Sequence, residues 1–219
     1  MNARASARAN AAALAIGAAL LCTFIGFGVT LNPPGAVDRA GRALTGELPY
    51  VALVFTASCW WYVLVAFAVA GIAFAVAVPS WRARVAFSLV ITLIGWQASD
   101  AVKNFFARPR PDYGILHIET SASYPSGHAM FAVVVYGLWS YYVATSGLPA
   151  GLRRALSVLL ALWGVGVLWS RLALGAHYVT DLLGGVLFGI AMLALGTALA
   201  PEATRAPSKR AAVAAAENP

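Results

Sequence analysis

Apolar residues run in long blocks along the chain, and the polar positions fall in the gaps between them. Six blocks are long enough for a helix to cross a hydrocarbon core, which takes about 20 residues. They are Asn10 to Thr30, Val51 to Val78, Val85 to Phe106, His128 to Thr145, Leu152 to Trp169 and Val179 to Leu199. The pattern predicts an all-α fold, an integral membrane bundle of six transmembrane helices, as one domain over residues 1–200. Residues 201–219, rich in Ala, Pro, Lys, Arg and Glu, read as a disordered cytoplasmic tail. The first block exceeds the apolar length of a secretory signal and no A-x-A site closes it, so it is read as a retained helix.

Composition agrees with the pattern. Of 219 residues 61% are hydrophobic and 11% charged, against roughly one-quarter charged in a soluble domain. The net charge of +7 does not point to nucleic acid, because the basic residues stand in ones and twos between apolar blocks. Topology explains them. Arg4 and Arg8, Arg82 and Arg84, Arg153 and Arg154, and then Arg205, Lys209 and Arg210 occupy connectors that share one side by parity. The positive-inside rule makes that side the cytoplasm, with both termini on it. Cys22 and Cys59 lie inside apolar blocks and read as small core hydrophobes. Trp60, Trp61, Trp81 and Trp169 stand near block ends as interfacial belt residues. Gly185 and Gly189 make a small-xxx-small pattern that permits close helix packing.

Three connectors lie on the opposite side. The first, Leu31 to Tyr50, spaces Val37, Leu44 and Leu48 for one helical face and carries Asp38, Arg39, Arg42 and Glu47. It reads either as a short surface helix or as an ordinary polar loop. The other two hold the chemistry. Between the third and fourth blocks stand Asp100, Lys103, Arg108, Arg110, Asp112, His117, Glu119 and Pro125-Ser126-Gly127-His128. Between the fifth and sixth stand Ser170, Arg171, His177 and Asp181. Ionisable residues at membrane depth are costly enough to signal function.

His177 and Asp181 are four residues apart, so on the first turn of a helix they share a face. A carboxylate there can accept one imidazole N–H and leave the other nitrogen free to attack. Ser126 suits a helix N-cap, and a helix start with a glycine in it exposes N–H groups to an anion. Lys103, Arg110 and Arg171 add cationic donors that match phosphate oxygens. The set suits phosphoryl transfer, in which positioning and charge stabilisation do most of the work. Arg108, His117 and Glu119 are candidate headgroup contacts; an interfacial anchor for Arg108 and a solvated loop for the other two are the plainer alternatives.

Lys103 with Arg110-Pro111, then Pro125-Ser126-Gly127-His128, then Ser170-Arg171 with His177 and Asp181, together resemble the three-part signature of the type 2 phosphatidic acid phosphatase superfamily. The resemblance implies a metal-independent enzyme with no cofactor. In it His177 attacks phosphorus to form a phosphohistidine and Asp181 holds the imidazole. His128 protonates the leaving oxygen and later activates water. Lys103, Arg110, Ser126, Gly127 and Arg171 hold phosphoryl oxygens, with Ser170 supporting Arg171 or the phosphate. The expected partner is a lipid phosphate or pyrophosphate in the bilayer, undecaprenyl pyrophosphate or phosphatidylglycerol phosphate first. The expected place is the outer face of the cytoplasmic (inner) membrane. A lipid A phosphatase and a lipid phosphotransferase stay open as alternatives. Transport fits less well, because the charges gather at helix ends and not at the bilayer midplane. The oligomeric state is left open.

Overall fold

The first apolar block becomes α1 (Ala3–Leu31), the leading helix of a computed structural model that describes residues 3–114 and 119–199. Pro33 and Pro34 follow it and cannot continue a helix, while the Asn32 side-chain amide donates to the Gly28 carbonyl at 2.8 Å. The first outer connector does form the short helix, α2 (Ala36–Gly41), with a further turn at Arg42–Leu44.

The second block was expected as a single helix and is instead α3 (Pro49–Ala57) and α4 (Trp61–Ala77), bent by 48° at the break. Ser58 shows why. Its hydroxyl donates to the Phe55 carbonyl at 2.6 Å, a local bond that competes with the helical ladder, and Trp60 is extended. The remaining elements are α5 (Arg82–Phe106), α6 (Gly127–Phe131), α7 (Leu138–Ala144), α8 (Ala150–Ala173) and α9 (Val179–Leu199). A π-helical stretch, Ala132–Gly137, joins α6 to α7 in one unbroken helical run. No strand occurs among the described residues.

Four helices, α1, α5 with its preceding turn, α8 and α9, are long and apolar enough to cross a membrane, and α3 with α4 makes a fifth if the bent pair is one span. Six were expected. The difference is the run from Gly127 to Ala144, which is short and widened by the π-helix in its middle, where a Cβ on Gly164 of α8 would stand 3.2 Å from the Ala132 carbonyl oxygen. The 201–219 tail lies outside the described residues.

Burial is distributed as a lipid-facing bundle requires. Large apolar side chains point outward, Phe24 at 76% and Leu31 at 77% exposure among them, a pattern that soluble monomers avoid. Met130, Val134, Tyr136, Tyr142 and Val167 form the core between the helices. Charged groups are buried as well: Asp38, Arg108, Arg171, His177 and Asp181. Helix α1 lies along α9, α3 packs on α8, and both α2 and α6 pack on α9. The expected close approach at the glycines of α9 is present. A Cβ on Gly185 would stand 2.3 Å from the Ser126 carbonyl oxygen, and one on Gly189 2.9 Å from Val133. Bare backbone at these points lets the start of α6 rest directly on α9. Both cysteines are buried free thiols.

Candidate active site

The end of α5, residues 107–114 and 119–126 of the connector, the start of α6 and the turn between α8 and α9 converge at one end of the bundle. Pro109 and Pro111 keep the connector from extending α5, and a bond from the Ser123 N–H to the Arg108 carbonyl (2.8 Å) closes it into a loop. Arg110 is anchored by its Nε to the Ser121 carbonyl (2.7 Å) and by Nη1 to the Ala176 carbonyl (2.8 Å). From that position Nη1 reaches Nε2 of His177 at 3.1 Å. A guanidinium only donates, so Nε2 carries the lone pair and the ring proton belongs on Nδ1.

Nδ1 faces Asp181, 3.4 Å from its Oδ2. The same carboxylate accepts from the Ser123 hydroxyl, the Tyr178 N–H at 2.9 Å and Arg108. Thus the nitrogen with the lone pair points away from the carboxylate and toward the cations. Burial first, then the charges of Arg110, Arg171 and Lys103, holds the His177 imidazole well below its usual range, which keeps the ring neutral.

The cavity in front of His177 measures about 290 Å³ and is lined by Lys103, Arg110, Glu119, Gly127 and His128, with Trp60, Trp61 and Trp96 among its apolar walls. Ser126 caps α6 by accepting from the Ala129 N–H at 3.4 Å, and its own N–H donates to the Asp181 carbonyl at 3.0 Å. The space that a Cβ on Gly127 would occupy lies 3.7 Å from Lys103 Nζ and 3.6 Å from Ser99 Oγ. An anion is therefore offered helix-start N–H groups on one side and an ammonium on the other. Among the described residues, Nε2 of His128 and Nε of Arg171 are buried without hydrogen-bond partners. Such orphaned donors and acceptors normally find a ligand or water.

Arg171 is fully buried. Its Nη1 donates to Thr56 Oγ1 at 2.9 Å, and Thr56 in turn meets Ser170 Oγ at 3.0 Å. Ser170 thus acts on Arg171 through Thr56. The other arm of Arg171 binds Glu119, which also lies 3.6 Å from Arg110. Burial alone would raise the Glu119 carboxyl, but Arg171 and Arg110 together bring it down to about 2. Among the described residues no group of three His, Cys, Asp or Glu side chains could hold a metal ion.

The structure therefore gathers Lys103, Arg110, Ser126, Gly127, His128, Arg171, His177 and Asp181 at one end of the bundle, with Ser170 behind them. Glu119 lines the cavity as a headgroup contact would, though it pairs with the cations. Arg108 does not line it: its guanidinium turns inward to Asp181 and Asp38. His117 lies outside the described residues. Sequence reasoning missed Thr56, Ser123 and Thr180, and it saw Asp38 only as part of a polar connector.

The PAP2 superfamily matches residues 81–205, more than half of the chain and every signature residue from Lys103 to Asp181. The chain belongs to this superfamily. Among its relatives, phosphatidylglycerophosphatase B of Bacillus subtilis (strain 168) is 36% identical over 96 residues, 43% of this chain and 47% of that protein. The Escherichia coli (strain K12) protein of the same name is 40% identical over 83 residues, 37% of this chain and 30% of that one. The aligned part thus spans about half or less of these relatives. A crystal structure described as the first transmembrane PAP2 type phosphatidylglycerolphosphate phosphatase, from Bacillus subtilis, superimposes with a TM-score of 0.67. It is 24% identical and the match covers 84% of this chain and 94% of that one, so the two share a PAP2 membrane fold. Asp38 and Thr56 lie before the matched PAP2 region, although they hold Arg108 and Arg171.

Proposed function

We propose that the chain is a membrane phosphatase that hydrolyses a lipid phosphate or pyrophosphate without a metal ion, at the outer face of the cytoplasmic membrane. One observation carries the reading: His177 lines a cavity shared with Lys103, Arg110 and His128, its Nε2 lone pair held by Arg110 Nη1 and its ring backed by Asp181. In the first step the phosphoryl oxygens take over Arg110 Nη1 and free Nε2, Nε2 attacks phosphorus, the bond from phosphorus to the lipid oxygen breaks, and His128, entering the step as imidazolium, gives that oxygen its proton. In the second, His128 takes a proton from water, the water oxygen attacks phosphorus, and the phosphohistidine bond breaks to release phosphate and restore His177. Acid–base help supplies roughly 10²–10⁴-fold, far short of what phosphate-monoester hydrolysis needs. The nucleophile and the three cations supply most of the rest.

Lipid access has a structural basis. An apolar groove of about 550 Å³, between α4 and α5 and lined also by Trp139 and Leu160, shares Trp61, Leu64 and Trp96 with the cavity in front of His177. A chain in the groove delivers its headgroup to His177. The charge bias of the connectors supports six crossings, counting Gly127–Ala144 as one, with both termini in the cytoplasm. The relatives' name, phosphatidylglycerophosphatase B, favours phosphatidylglycerol phosphate over undecaprenyl pyrophosphate. Transfer to a lipid acceptor would use the same phosphohistidine.

The test is phosphate release by the purified chain in detergent with EDTA, offering both lipids side by side. Expected are turnover of at least one lipid, an acid-labile phosphoenzyme in the wild type, and no turnover by His177→Ala. Near-normal hydrolysis by His177→Ala would sink the mechanism, and labelled phosphate appearing in lipid would reassign the enzyme as a transferase.

A further inference from the structure

Arg108 stands two residues before Arg110 yet points the other way. It is only 3% exposed, and its guanidinium carbon lies 4.3 Å from the centre of the Tyr178 ring. Nη1 bonds Asp181 and Thr180 Oγ1, the latter at 2.8 Å. Nη2 bonds Asp38 Oδ2 at 2.8 Å. Asp38, 2% exposed, also accepts from the Thr180 N–H at 2.9 Å. A buried carboxylate–guanidinium–carboxylate chain therefore runs from α2 to the residue behind His177.

We propose that Arg108 and Asp38 are positioning residues, Arg108 fixing the Asp181 carboxylate behind the nucleophile and Asp38 fixing Arg108. The inference rests on the phosphatase reading above. Asp181 spends Oδ1 on Arg108, and this sets the plane in which Oδ2 meets Ser123, the Tyr178 N–H and His177 Nδ1. Freed from Arg108, the carboxylate can turn and lose its aim at the ring.

Charge accounting points the same way. Two carboxylates and one guanidinium leave a single net negative charge beside the imidazole, available when positive charge builds on the ring during attack. Removing Arg108 takes from both buried carboxylates the guanidinium that each bonds, and a buried charge that loses its partner is strongly destabilising. A helix that merely rests on the surface would not bury the aspartate of its first turn almost fully.

The experiment uses the full chain purified in detergent, a short-chain lipid phosphate as substrate, and orthovanadate as a phosphate-like inhibitor. Arg108→Ala is expected to lower kcat about 100-fold while the vanadate inhibition constant stays within about three-fold, the scale set by outer partners of catalytic groups. Arg108→Lys restores about ten-fold of that loss. Asp38→Asn lowers kcat about ten-fold, and the double variant is no slower than Arg108→Ala alone, because the two residues act as a unit.

A vanadate constant that rises as far as in Arg110→Ala would make Arg108 a phosphate ligand and overturn the proposal, as would an unchanged kcat. If Arg108→Ala fails to fold by its melting curve, Arg108→Lys and Asp38→Asn carry the test on the same readouts. Failure of the underlying reading looks different: the wild type itself releases no phosphate.

Discussion

Glu119 holds its carboxylate against the guanidinium of Arg171. Its second oxygen lies 3.6 Å from Arg110, so one carboxylate spans two of the cations assigned to phosphate. With its carboxyl brought down to about 2, Glu119 stays anionic at any working pH. A phosphate bound as proposed would displace it or share the cations with it.

Glu119→Gln is expected to tighten inhibition by phosphate or vanadate about ten-fold. The estimate takes the loss of a competing charge-assisted bond as about 1.4 kcal/mol, at the low end for such bonds. Inhibition constants measured beside the wild type check it. Weaker inhibition in the variant would mean that Glu119 orders the two arginines and does not compete with the ligand.

His177 supplies a pH prediction with a definite sign. Its folded-state imidazole titrates well below the usual range, through burial first and the neighbouring cations next, so the neutral form, the one proposed to attack, persists as pH falls past about 6.5. The limb of kcat/KM contributed by His177 should lie below that value, and Arg110→Gln should move it upward. Stability follows the same linkage. The contribution of His177 is fully present above the unfolded value and is lost as pH falls below it, because the unfolded ring takes up the proton first. Rate profiles and melting curves over roughly pH 5 to 8 measure both, and a limb at or above 6.5 contradicts the assignment.

Chain-length dependence tests the groove between α4 and α5. Gly71 lines it, and a Cβ there meets only Val85, at 3.6 Å. Gly71→Trp should fill the groove. Excluding about four methylenes of a bound chain forfeits about 3 kcal/mol, about a hundred-fold in kcat/KM for a long-chain substrate. A water-soluble phosphate monoester should be turned over as before. Equal losses on both substrates would argue against the groove as the chain site.

Gly185 tests the contact between α6 and α9. Gly185→Ala puts a Cβ 2.3 Å from the Ser126 carbonyl oxygen and 2.7 Å from the Ala129 Cβ, so the start of α6 must shift. Overpacking of this kind costs about 1–3 kcal/mol and should lower kcat too, because the Ser126–Gly127 turn moves relative to His177. Gly17→Ala is the control. Nothing lies within 4 Å of its Cβ, and it should be neutral or slightly stabilising, as alanine for glycine is within a helix.

Much of this arrangement was legible in the residue pattern. The last block was read as Val179 to Leu199, and α9 has those bounds. Lys103, Arg110, His128, Arg171 and His177 were assigned to one site from motif spacing and membrane parity alone, and the fold brings them together. Two kinds of feature were not legible. The break between α3 and α4 depends on the hydroxyl of Ser58, which an apolar run of that length conceals. Asp38 meets Arg108 across 70 residues of sequence, and no periodicity marks such a pair. Arg108 was ambiguous for a related reason: its neighbour Arg110 turns toward the cavity, and only the loop's three-dimensional path separates their directions.

The bend at Ser58 divides the labour of one chain segment. Before it, Thr56 on α3 grips Arg171. After it, Leu64, Val65 and Phe67 on α4 line the apolar groove. On the proposed reading, a substitution on α4 would reshape the wall meant for a lipid tail while the grip of Thr56 on Arg171 stays as it is. Substrate choice and chemistry would then be set on opposite sides of the kink, which acts as a partition between the two.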